Sequence, residues 1–124
     1  MHDHSERNRE PLAIRSKIWI ERGGDVVLSE WRVSLLEAVD AHGSLSSAAA
    51  ALDVPYRTAW DRIKAMETEL GTRLLESESG GADGGGSRLT SEARDLCRRF
   101  RRVSGGIQEV VSRRFATEFR EDEQ

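Results

Sequence analysis

The chain has 124 residues, 37% hydrophobic and 33% charged, a size suited to one small domain or one domain with an interaction arm. Nineteen Lys and Arg against 22 Asp and Glu give a net charge of −3, which runs against the basic balance usual for a nucleic-acid binder, although acidic residues gather at the C-terminus (Glu118, Glu121, Asp122, Glu123), away from any groove. One cysteine, Cys97, excludes an internal disulfide and a multi-cysteine zinc site, and no apolar run approaches the ~20 residues of a membrane span.

Residues 1–15 are polar and unpatterned and are expected to form a mobile N-terminal arm. His2 and His4 have no third or fourth ligand nearby, so no metal is expected there. Arg7, Arg9 and Arg15 would suit a minor groove. Ser16 to Arg22 alternates, with Ile18 and Ile20 on one face and Lys17, Trp19 and Glu21 on the other, which predicts a strand. Gly23-Gly24-Asp25 reads as a turn and Val26-Val27-Leu28 as the return strand. A lone hairpin is marginal in water, so it must pack on this domain or on a partner subunit.

Ser29 is the expected cap of a helix reaching His42, with Trp31, Leu35, Leu36 and Val39 as its buried stripe and Gly43 as its stop. His42 reads as a partner of the C-terminal helix dipole. The stretch Gly43 to Gly71, GSLSSAAAALDVPYRTAWDRIKAMETELG, then reads as a helix-turn-helix. Ser46 is the expected cap, and Leu45, Ala49 and Leu52 form one apolar stripe. Ala48 to Ala51 favour helix and close approach. Asp53-Val54-Pro55 is the turn: Asp tolerates the left-handed conformation, and Pro55 opens a new helix but cannot continue the old one. In the second helix Ala59, Ile63, Met66 and Leu70 face the core, and Tyr56, Arg57, Thr58, Asp61, Arg62 and Lys64 face outward. Trp60 is placed at the core edge.

Thr72 to Glu76 is a predicted short strand and Arg88-Leu89-Thr90 its return. Between them Ser77 to Ser87 form an eleven-residue loop with five glycines. Strand, glycine-rich tip and strand after such a helix read as a wing, whose backbone N–H groups can approach phosphates. The loop has no G-K-[S/T] ending and is no P-loop, and it lacks the order and acid of a dinucleotide fingerprint. Thr90 is the expected cap of the last helix, with Glu92 in its first turn. Ala93, Leu96, Cys97, Phe100, Val103, Ile107, Val110 and Val111 form its stripe, extended by Phe115 and Phe119. Cys97 on that stripe reads as a buried structural thiol. So long a stripe outruns a three-helix core, and its later half reads as a dimer interface, with Leu96, Phe100, Val103, Ile107, Val110 and Val111 as the dimerisation residues. Gly105-Gly106 costs about 1–2 kcal/mol of helix stability and is a candidate kink. Arg98, Arg99, Arg101, Arg102, Arg113 and Arg114 on the other face read as solvated charge.

Gly43 to Gly71 resembles the helix-turn-helix of LysR-type regulators, whose pattern runs GS-hydrophobic-(S/T)-xAAxxLxV…LExELG. The segment YRTAWD (Tyr56 to Asp61), the LLE strand (Leu74 to Glu76) and GGADGGGSRLT (Gly80 to Thr90) are similar to the N-terminal domain of the ModE family of molybdate-responsive regulators. The resemblance covers about Trp31 to Val103. Asp53 stands where LysR-type helix-turn-helices usually have Gly, and Pro55 where they have a small capping residue. Both families carry large effector modules for which this sequence has no room, so molybdate sensing is not expected to carry over, and any effector would act from elsewhere or from a separate protein.

The expectation is a mainly α, winged helix-turn-helix fold: a three-helix core with a glycine-rich β-wing, an N-terminal β-hairpin and a long C-terminal dimerisation helix. The expected division is residues 1–15 as arm, 16–90 as winged helix-turn-helix with hairpin, and 91–124 as dimerisation helix and acidic tail. The expected function is sequence-specific binding of double-stranded DNA by a homodimeric, cytoplasmic, prokaryotic transcriptional regulator, with no cofactor and no membrane partner. Arg57 is the first choice for guanine O6/N7. Tyr56 and Thr58 suit thymine methyls or phosphate, and Arg62 and Lys64 suit phosphate. Asp61 either accepts from cytosine or orients an arginine. Ser87 and Arg88 in the wing suit phosphate or the minor groove, and Ser46 joins the candidate DNA contacts. The competing class is a winged-helix protein-interaction module, which the negative net charge favours. An enzyme is not expected: no Ser/His/acid or Cys/His arrangement is present.

Overall fold

The computed structural model describes residues 8–78 and 86–120. His2, His4 and Arg7 of the arm, the middle of the glycine-rich loop, and Glu121, Asp122 and Glu123 lie outside the described residues. The elements are β1 (Trp19–Arg22), β2 (Asp25–Ser29), α1 (Glu30–His42), α2 (Leu45–Ala51), α3 (Tyr56–Leu70), β3 (Leu75–Glu78), β4 (Gly86–Leu89) and α4 (Ser91–Glu118). The fold is a winged helix-turn-helix with an added N-terminal hairpin and a long last helix. Residues 18–102 form one compact unit, and the described parts of 1–17 and 103–124 form another.

The first unit is built around Val33, Leu35, Leu36, Val39, Ala48, Ala49, Ala59, Ile63, Met66, Leu74, Leu89, Ala93, Cys97 and Phe100, all buried. Three helices supply most of these, as the three- and four-residue spacing requires. Trp31, which the sequence pattern placed in the buried stripe, is only half-buried, and Val33, which it left out, is fully buried on α1. Ser29 caps α1 by accepting from Arg32 N, and Gly43 ends it at φ 85. The cap of α2 is Ser44, not Ser46: Ser44 Oγ accepts from Ser47 N at 3.0 Å. The helix starts at Leu45, so only a residue before Leu45 can hold the extended backbone a cap needs, and Ser46 lies inside the first turn.

The hairpin also departs from strict alternation. β1 begins at Trp19 rather than Ser16, and the register slips between Ile20 and Glu21. Ile20 faces Leu28 while Glu21 faces Val26, so Val27 is an extra residue on β2. A bulge of this kind puts consecutive residues on one side. Val27 and Leu28 are accordingly both buried, while Ile20 is left exposed. The wing pairs Leu75 with Leu89 and Ser77 with Ser87, so β3 begins at Leu75 rather than Thr72 and β4 begins at Gly86 rather than Arg88. Leu74 is instead a fully buried anchor before the strand, and Thr90 leaves the strand to cap α4, accepting from Ala93 N at 3.1 Å.

α4 continues through Gly105-Gly106 as one helix. Its first turns belong to the core, and its residues from Val103 onward belong to the second unit. There Ser16 N donates to Gln108 Oε1 at 2.9 Å and Gln108 Nε2 donates to Ile14 O at 3.2 Å. Arg101 is not a solvated charge as the sequence suggested. It binds Glu37 Oε1 at 2.8 Å, Ser34 Oγ at 3.1 Å and Glu30, all on α1, because α4 crosses that acidic face. Among the described residues no helix is long and apolar enough to cross a membrane, and no cluster of metal-ligating side chains occurs.

Candidate nucleic-acid interface

The turn between α2 and α3 places the candidate interface. Asp53 sits at φ 59, the left-handed conformation that a short side chain tolerates. Pro55 then enters α3 from an extended backbone, and no side chain caps that helix. The uncapped N-terminal end of a 15-residue helix presents backbone N–H groups and a positive dipole end to the exterior.

Six outward residues follow from the α3 periodicity. Tyr56 is 51% exposed, and the Arg57 and Asp61 side chains are 77% and 60% exposed. Thr58 and Lys64 are exposed as well. Arg57 Nε lies 3.5 Å from Asp61 Oδ1, and its guanidinium carbon lies 5.0 Å from the centre of the Trp60 ring. Lys64 Nζ lies 5.4 Å from the same ring and 3.3 Å from Glu67 Oε1. Arg62 is placed differently: it is half-buried, with its guanidinium 5.9 Å from the Trp31 ring centre. Together with burial, its charge pulls Arg32 below the usual arginine value.

Tyr56, Trp60 and Lys64 face the wing across a cleft also lined by Arg73, Ser77 and Ser87. Ser87 N donates to Gly43 O at 3.0 Å, which fixes the strand beside the start of α2. Ser46 is exposed in that first turn of α2. Arg88 points outward and lies 3.7 Å from Glu76 Oε2 across the wing. The structure thus gathers Tyr56, Lys64 and Ser87 at one cleft. Arg57, Thr58 and Asp61 share the open face of α3, and Arg62 is directed toward α1.

Sequence reasoning missed Arg73, and its signal was available. It stands between the Gly71 helix stop and the buried Leu74, so it must sit at the foot of the wing. It also missed the brace behind the wing. Asp40 on α1 accepts from Leu89 N at 2.9 Å and from Arg94 Nε at 2.7 Å. The Arg94 hydrogen bond, chiefly, holds the Asp40 carboxyl below its usual range, against the opposing effect of burial. Glu67 likewise accepts from Leu74 N at 2.8 Å, tying the wing root to α3. On the last helix, burial pushes the Cys97 thiol up to about 11, as suits a structural thiol.

Comparison with known proteins places this geometry. Residues 32–94 match the model of the bacterial regulatory helix-turn-helix protein, lysR family. The chain is 34% identical over 86 residues to the molybdenum transport protein ModE of Azotobacter vinelandii, covering 69% of this chain and 32% of that one. It is 42% identical over 65 residues to the transcriptional regulator ModE of Haemophilus influenzae, covering 52% and 26%. It is also 29% identical over 104 residues to the molybdenum-pterin-binding protein MopA of Rhodobacter capsulatus, covering 84% and 38%. The chain therefore spans about a third of the length of these relatives. Among solved structures, the DNA-binding domain of CbnR in complex with DNA superposes with a TM-score of 0.56 at 24% identity, covering 71% of this chain and 95% of that one, a likeness of fold. With the family match spanning the helix-turn-helix, the wing and the start of the last helix, the chain belongs to the LysR family of bacterial regulatory helix-turn-helix proteins.

Proposed function

We propose that this protein is a sequence-specific, DNA-binding transcriptional regulator that acts in the cytoplasm as a homodimer and carries no catalytic activity of its own. The observation that carries the proposal is the open face at the start of α3, where Tyr56, Arg57, Thr58 and Asp61 are exposed beside the wing cleft of a LysR-family helix-turn-helix. N-terminal residues of such a helix reach base edges in the major groove. Arg57 reads guanine through O6 and N7, and Tyr56 and Thr58 meet thymine methyls or phosphate. Lys64, Arg62, Ser46, Ser87 and Arg88 hold the sugar–phosphate backbone. The second half of α4 joins two copies through Val103, Ile107, Val110 and Val111; Leu96 and Phe100, which the sequence pattern also assigned to the dimer interface, are instead taken up by this domain's own core, Phe100 within it and Leu96 packed against it.

The test is binding of the full chain to duplexes selected from a random-sequence pool, at several salt concentrations. Phosphate neutralisation imposes a linear fall of log affinity with log salt, about 0.9 per phosphate contacted. Arg57→Ala removes one bidentate base contact and costs about 1–3 kcal/mol of discrimination at one base pair. A flat salt response with no selected sequence overturns the proposal. It would favour the second reading, a winged-helix module that binds another protein, for which the net charge of −3 and the carboxylates of Asp61 and Glu76 beside the interface speak.

A further inference from the structure

The aromatic ring at the edge of the core has a second side. Trp60 packs against the buried cluster, yet two cations of its own helix lie on its ring, Arg57 at 5.0 Å and Lys64 at 5.4 Å. They come from positions i−3 and i+4, the two neighbours a helical residue meets. Asp61, four residues after Arg57, holds that guanidinium from a second direction, 3.5 Å from Nε. The ring and the carboxylate together constrain one long, 77% exposed arginine that would otherwise lose much rotamer freedom on binding. Asp61 lies on the Nε side of the guanidinium and leaves the two Nη groups of the fork, the pair that matches guanine O6 and N7, directed elsewhere.

We propose that Trp60 and Asp61 are positioning residues for base readout, setting Arg57 in the orientation that selects guanine, and that Asp61 acts through Arg57 rather than on cytosine. This rests on the DNA-binding function proposed above. Lys64 shares the ring but has its ammonium 3.3 Å from Glu67 Oε1, and its role in the proposed complex stays that of a phosphate contact.

The test uses the full-length chain and a duplex selected by the wild-type protein from a random-sequence pool. Each guanine of that duplex is replaced in turn, and the affinity ratio is read for wild type, Arg57→Ala, Trp60→Leu, Trp60→Phe and Asp61→Asn. Arg57→Ala identifies the guanine it reads. Trp60→Leu keeps apolar bulk at the core edge but removes the ring, and preference for that guanine should fall about fivefold, with preference at the other positions unchanged. Trp60→Phe keeps a ring and should retain most of the preference. Asp61→Asn should lower preference at the same guanine while raising affinity for unrelated duplex, because it removes a negative charge at the phosphates. Arg57→Ala combined with Trp60→Leu should lose no more preference than Arg57→Ala alone. A uniform affinity loss at all positions in Trp60→Leu, or a cytosine rather than a guanine affected by Asp61→Asn, overturns the inference while leaving the proposed function standing. Failure of the wild-type protein to select any sequence overturns both.

Discussion

Asp40 shows how one side chain couples the wing to the body of the fold. Its two oxygens take the Leu89 N–H of β4 and the guanidinium of Arg94 on α4. The carboxyl is held below its usual value, so it is ionised in the fold at pH values where the unfolded chain has begun to bind protons. Its contribution is therefore present above the ordinary carboxylate range and is lost as pH falls through the folded value. The pair is partly exposed, so solvent screening keeps that contribution small. Asp40→Asn should unfold at lower urea than wild type at pH 7, and the difference should shrink below about pH 4; an equal difference at both pH values would show that charge is not the cause. Cys97 carries a second prediction at this scale. With its thiol buried and raised to about 11, it should stay unmodified by a thiol reagent at pH 8 in the native protein and react fully in denaturant. Rapid native labelling would mean that α4 opens at Cys97.

At the scale of elements, the helices were legible because apolar spacing and stop signals agreed. Gly43 and Gly71 end α1 and α3 at φ 85 and 68, Asp53 makes the turn at φ 59, and Ser29 and Thr90 cap the helices that follow them. The strands were less legible. The bulge opposite Ile20 breaks the two-residue period by adding Val27, and Leu74 is buried as an anchor although it precedes the strand. Long-range partners were not legible at all: Arg101 on Glu37 and Arg94 on Asp40 join residues 64 and 54 positions apart, a separation that no local pattern encodes. The outward set on α3 followed from periodicity, but the direction of Arg62 toward Trp31 depends on how α3 lies on α1. The Gly105-Gly106 pair leaves α4 intact, and a Cβ added at either position meets nothing within 4 Å. Gly105→Ala with Gly106→Ala should therefore stabilise the helix by about 1–2 kcal/mol, since each glycine costs about 1 relative to alanine. Thermal unfolding followed by circular dichroism checks this, and a lower midpoint would mean that the glycines are needed for close approach of another surface.

For the whole molecule, the unsolved expense is apolar surface. Val103, Ile107 and Val110 on α4, and Phe119 just after it, are 53%, 37%, 46% and 56% exposed, whereas Ala93, Cys97 and Phe100 earlier on the helix are buried. In the homodimer proposed above, this stripe lies against its copy, and two recognition helices then meet half-sites about one helical turn, ~34 Å, or a multiple apart. Linking two weak contacts makes the second one intramolecular, so dimerisation raises affinity for a two-fold site without any new protein–DNA contact. Ile107→Glu with Val110→Glu places like charges on that face and leaves the core of residues 18–102 untouched. Sedimentation should report a monomer of 13.9 kDa in place of a dimer. Circular dichroism should stay helical, and affinity for a two-half-site duplex should fall at least tenfold while affinity for a single half-site stays the same. A variant that remains dimeric would move the subunit interface to another surface. The hairpin is then the alternative, because Trp19, Ile20 and Val26 are exposed apolar residues on it.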